Sequence, residues 1–235
     1  MALMMFLSLF AGHANAASIT VQLVGEVTGV SGVVVGNSFF NLGDAITYNL
    51  EFDEELASSS PIDTFTSAIT SFSGSVGTYD FAGSTGQAFT RNNGTAGSLF
   101  GGNPFDQISI SHNDLDRNLS FLGLNRNDFT SDDGSIGGKP LAQVRVSAQT
   151  DDTSFMSSND FDASIFQALA GNSTYLDLLG FSMSFDIDAF GSVDGTASGE
   201  FNSITVVPEP STGLLLSLGL ITMLASRRCS RNQVA

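Results

Sequence analysis

Between residues 45 and 53 the chain reads Ala-Ile-Thr-Tyr-Asn-Leu-Glu-Phe-Asp, and its strict period of two constrains the fold more than any other feature. Ile46, Tyr48, Leu50 and Phe52 fall on one side, and Thr47, Asn49, Glu51 and Asp53 on the other. Side chains of an extended strand alternate between two faces, whereas a helix would scatter these apolar groups around its circumference. The segment is therefore a strand with one buried face. Phe181, Met183, Phe185 and Ile187 repeat the pattern against Ser182, Ser184, Asp186 and Asp188. Val144, Val146 and Ala148 form a shorter example, as do Ile108 and Ile110.

Composition extends this reading to the whole middle of the chain. Gly, Ser, Thr, Asn, Asp and Phe dominate, with little Lys or Glu, a usage that suits short strands and tight turns and disfavours long helices. Further strands are expected at 19–24, 69–76, 79–81, 119–124 and 201–207, about nine or ten in all. One helix is expected over 160–170, capped by Asp160, because Phe161, Ile165 and Leu169 recur at helical spacing. The serines of 56–61 read as a loop. The expected fold is all-β, an antiparallel β-sandwich or jelly-roll-like domain.

The two ends differ from this middle. Residues 1–10, MALMMFLSLF, are apolar and precede the small-x-small pattern Ala14-Asn15-Ala16, so 1–16 reads as a secretory signal peptide cut before Ala17. It carries no Lys or Arg, which a start codon assigned too far downstream would explain. At the other end, Val207-Pro208-Glu209-Pro210-Ser211 leads into an uncharged apolar run over 212–226 and then Arg227, Arg228 and Arg231. Pro208 and Pro210 keep that stretch extended. At about 1.5 Å per residue a helix over 212–226 reaches about 22 Å, short of the roughly 30 Å hydrocarbon core, so it spans by thinning the bilayer or by snorkelling of its arginines. The basic cluster stops transfer and stays cytoplasmic.

A proline stop, a short apolar helix and an arginine end, in this order, resemble the PEP-CTERM sorting signal of exopolysaccharide-producing Gram-negative bacteria. That resemblance covers about an eighth of the chain. It implies that exosortase, an integral-membrane cysteine protease or transpeptidase, recognises Pro208, Glu209 and Pro210 and processes the tail nearby. A plain membrane anchor behind a proline linker is the competing reading of the same residues. The expected organisation is a signal peptide over 1–16, an extracytoplasmic β domain over 17–206 and a sorting signal over 207–235.

Charge and cysteine usage fit a life outside the cytoplasm. The net charge is −16; all of the 24 acidic residues except Glu209 precede residue 208, and three of the eight basic residues lie in the tail. The others are Arg91, Arg117, Arg126, Lys139 and Arg145. So acidic a domain repels nucleic acid and anionic membrane. Its one cysteine, Cys229, lies past the apolar run, leaving no disulfide framework and no external thiol nucleophile.

Chemistry is sparse. Once the signal peptide is removed His112 is the only histidine, and no Gly-x-Ser-x-Gly elbow exists, so His112 reads as a surface residue of a polar loop. Ser111 and Asp114 are too close in sequence to complete a triad on one strand. A zinc site lacks ligands, and a phosphate loop lacks its lysine. Paired carboxylates could serve a glycosidase, but there is no Trp to form a sugar platform. Calcium is the candidate ion, at Asp128, Asp132 and Asp133 before Gly134, or at Asn113, Asp114, Asp116 and Asn118. Asp186, Asp188 and Asp194 imitate an EF-hand only until Phe190 and Ala197 occupy its fifth and twelfth positions. Asn93, Asn118 and Asn172 open glycosylation acceptor patterns.

The expected function is a non-enzymatic protein, exported, held as an inner-membrane intermediate, then released by exosortase to the cell surface or extracellular matrix. The alternative is a carbohydrate-binding module for exopolysaccharide, assisted by calcium.

Overall fold

The computed structural model describes residues 18–53, 64–65, 68–94, 104–113, 129–131, 135–156, 159–187 and 192–208. The strand expected at 119–124, the loop at 56–61 and both terminal segments lie outside them.

Among the described residues, eleven antiparallel strands form one sheet. They are β1 (Ser18–Gly32), β2 (Ala45–Asp53), β3 (Thr64–Phe65), β4 (Ile69–Val76), β5 (Tyr79–Gly83), β6 (Gln87–Gly94), β7 (Phe105–Asn113), β8 (Phe129–Ser131), β9 (Leu141–Thr150), β10 (Gly180–Ile187) and β11 (Val193–Pro208). Their spatial order is β3-β6-β7-β9-β10-β11-β1-β2-β4-β5-β8. The short strands β3 and β8 lie at the two edges, which leaves a working sheet of nine strands. Two helices, α1 (Ala163–Gly171) and α2 (Ser173–Leu176), lie in the connection from β9 to β10.

The expected antiparallel β class is present, but its two stacked sheets are replaced by one continuous sheet that curls into a half-barrel. Ring contacts across the interior show the curl. Phe72 of β4 stacks on His112 of β7 with ring centroids 3.4 Å apart, and Phe81 of β5 lies 6.3 Å from Phe181 of β10. Strands far apart in the hydrogen-bonded order thus meet through their apolar faces, as two sheets would. Continuity is kept by β1 and β11, which pair from Ile19↔Pro208 to Gly32↔Gly195. Register shifts at Val24/Gly25 and Val27/Gly29 bend this long pair. Gly25 makes the bend feasible, since a Cβ there would lie 2.0 Å from the Glu200 carbonyl oxygen.

The alternating residues occupy their expected places. Ile46, Tyr48, Leu50 and Phe52 are buried, and so are Val144, Val146, Phe181, Met183 and Phe185. The helix begins later than expected. Asp162 caps it, its Oδ1 accepting from the Ser164 amide at 2.9 Å, whereas Asp160 stays outside. Ile165, Phe166 and Leu169 are buried, and Phe166 and Phe161 pack on Phe52 at 5.7 and 4.8 Å between centroids. Pairing with β10 stops at Gly180↔Glu200, so among the described residues the end of β11 from Ser203 to Pro208 pairs with β1 alone, and the helical connection covers the barrel end beside it.

Candidate functional site

At the end of the barrel covered by α1, the chain enters and leaves the fold side by side. Ser18 opens β1, Pro208 closes β11, and Ile19 is the register partner of Pro208. The expected signal cleavage site thus lies one or two residues before the first strand, and the Pro-Glu-Pro stretch begins within the last. Val207 and Pro208 belong to β11; Ala14, Ala16, Ala17, Glu209, Pro210, Ser211, Arg227, Arg228 and Arg231 lie outside the described residues.

The β1 side of this exit is firmly held. Ile19 and Val21 are buried. On the outer surface the Ser18 hydroxyl donates to Glu51 Oε1 at 2.9 Å, and Ser71 donates to Glu51 Oε2 at 2.6 Å. This clasp ties β1, β2 and β4 together, and the hydroxyls of Ser71 and then Ser18 hold the Glu51 carboxyl below the usual carboxylate range. The β11 side is looser: Val206 is half-buried and Val207 is 49% exposed.

Three further polar groups among the described residues are bonded within the fold. His112, expected on the surface, is instead fully buried on the inner face of β7. Its Nδ1 lies 3.0 Å from the Thr85 carbonyl oxygen and its Nε2 2.5 Å from the Tyr48 hydroxyl. Alternation put Ile108, Ile110 and His112 on one face, so periodicity carried the signal and residue polarity concealed it. Asp106, on the same face, is also buried and accepts from the amides of Asn93 and Met156 at 2.8 Å each. At the opposite barrel end Lys139 bridges Asp186 at 2.8 Å and Asp194 at 2.5 Å, so these acids bind a lysine and not the imitated calcium loop.

Among the described residues no group of three or more His, Cys, Asp or Glu side chains is placed to hold a metal. Asp128, Asp132, Asp133, Asp114, Asp116 and Asn118 lie outside them. Asn172 is exposed, and its side-chain oxygen caps α2 by accepting from Thr174 at 3.0 Å; Asn93 sits in β6 at a positive φ of 55°. No described helix is long and apolar enough to cross a membrane.

The final strand of the β domain leads in sequence directly into Pro208-Glu209-Pro210 and the apolar run. Residues 206–228 match the PEP-CTERM protein-sorting motif, so the C-terminus carries that signal. Such a motif implies an exported, cell-surface-sorted protein processed by exosortase. Neither a curated protein nor a solved structure matches the chain.

Proposed function

We propose that the β domain is a non-enzymatic component of the cell surface or extracellular matrix, delivered by the sorting signal and released from the inner membrane by exosortase. The observation that carries this reading is the side-by-side exit of the two chain ends. With the apolar run in the membrane, Pro208 and its register partner Ile19 mark the pole nearest it, and the folded domain stands on that pole outside the cell. Internal bonding of His112, Asp106, Asp186 and Asp194 supports a structural use of these groups. Mass spectrometry of both termini of the protein taken from its own cells tests the itinerary. A chain beginning at Ala17 and ending within 208–211 is the expected result. Retention of residues 212–235 would make the tail a permanent anchor.

A second reading, the carbohydrate-binding module, is favoured by one feature. The outer faces of β2, β4 and β5 form a shallow groove of about 280 Å³ lined by Thr47, Asn49, Ser73, Ser75 and Asp80. Its hydroxyls, amide and carboxylate suit sugar hydroxyls. Binding of the processed protein to isolated exopolysaccharide, with and without calcium, separates the readings. Saturable binding lost in Asn49→Ala and Asp80→Ala would favour the module.

A further inference from the structure

The sorting motif does not begin after the fold ends; its first residues are inside the sheet. Val207 pairs with Thr20 and Pro208 with Ile19, and Val206 just before them pairs with Val21. Proteases commonly take their substrates as extended segments by pairing with a backbone edge. Along 206–208 one edge is already occupied by β1. Only Glu209, Pro210 and Ser211 separate the strand from the apolar run, at most about 10 Å of fully extended chain. An enzyme working at the membrane surface therefore meets a folded domain directly against its target.

We propose that the first residues of β1 are positioning residues for tail processing: Ile19, Thr20 and Val21 hold the start of the sorting motif in the sheet, and the end of β11 must peel away from them before exosortase can engage it. The asymmetry of the exit decides which strand moves. β1 is fixed by the burial of Ile19 and Val21 and by the Ser18–Glu51–Ser71 clasp. Among the described residues the end of β11 pairs with β1 alone; it exposes Val207 and finishes at a proline, which donates no ladder hydrogen bond. Terminal residues of this kind open at small free-energy cost, so the pairing slows processing without forbidding it. A domain that is not yet folded offers no such brake.

This inference rests on exosortase processing of the tail, and the test separates the two. Gln22 and Thr205 are register partners, both exposed and upstream of the motif. Antiparallel partners stand about 4.5–5.5 Å apart at Cα, within the disulfide range. Full-length protein carrying Gln22→Cys and Thr205→Cys in a Cys229→Ser background is followed by pulse-chase in its own cells, beside wild type and each single cysteine variant. Oxidised double mutant is expected to lose its tail about tenfold more slowly or worse. Reductant restores the rate, and so does a Gly-Ser-Gly-Ser insertion between Val206 and Val207, which frees the motif while leaving the crosslink in place. Equal processing of crosslinked and wild-type protein, or no rescue by the insertion, would overturn the proposal. A wild-type chain that never loses its tail would instead remove the processing reading itself.

Discussion

His112 shows how a single buried polar residue is made tolerable. The Thr85 carbonyl can only accept, so Nδ1 carries the proton and Nε2 accepts from the Tyr48 hydroxyl. Burial pushes the Tyr48 phenol well above its ordinary pKa, so it remains a donor. Tyr48→Phe removes that donor from a buried acceptor, at a cost of about 1–3 kcal/mol. Urea denaturation of the processed protein measures this; an unchanged midpoint would mean that Nε2 has another partner. The same imidazole sets the requirement at position 86. A Cβ on Gly86 would lie 2.4 Å from His112 Nδ1 and 2.9 Å from Ile69 Cδ1. Gly86→Ala is expected to destabilise by about 1–3 kcal/mol. Gly171, at the end of α1, has open space around its Cβ position, and Gly171→Ala should be neutral or stabilise by up to about 1 kcal/mol. Opposite signs in parallel urea titrations are the expected pair of outcomes.

Two elements determine how the sheet ends. Helix α1 closes the barrel beside β11 with Phe166 and Leu169 inside and its first turn capped by Asp162. Asp162→Ala is expected to cost about 1 kcal/mol. Phe166→Ala opens a cavity against Phe52 and Phe161 and is expected to cost about 3–5 kcal/mol. Equilibrium unfolding ranks the two, and a larger loss at the cap would refute the packing role given to the helix. The clasp on β1 gives a dependence on pH. The Glu51 carboxyl is depressed in the folded protein, so it binds protons less readily there than in the unfolded chain. Its contribution is therefore full above the unfolded pKa of about 4.5 and fades as pH falls through the folded one. The stability gap between wild type and Glu51→Gln should be present at pH 7 and shrink towards pH 3. A gap independent of pH would show that the charge of Glu51 is irrelevant to the clasp.

At the scale of the molecule, a net charge of −16 works against compaction, and added salt screens that repulsion. The thermal midpoint of the processed protein is expected to rise between 10 and 200 mM NaCl, and a fall would mean that attractive pairs such as Lys139 with Asp186 and Asp194 dominate. The sequence by itself determined the β class, because Tyr48, Leu50 and Phe52 or Met183 and Phe185 can share one buried face only on a strand. It also determined the sorting signal, because prolines, apolar run and arginines act in chain order and need no partner. Strand β6 was not legible: its inner face carries Ala88 and Thr90, the latter buried, so polarity hid the period. The alternation of Ile108 and Ile110 marked the middle of β7, but His112 and Asp106 hid its extent, since a polar residue is acceptable inside once a distant group completes its hydrogen bonds. The late start of α1 followed from Asp162, not Asp160, reaching the free amide of the first turn. Whether the strands formed two sheets or one was decided by tertiary structure alone. Both arrangements bury the same apolar faces; they differ in whether β1 and β11 stay hydrogen-bonded along their whole length, and the bulges at Gly25 and Gly29 let them bend without parting. That continuous pair is also what sets Ile19 beside Pro208 across 189 positions of chain, a proximity that local periodicity does not encode because it arises only when the first and last strands pair with each other.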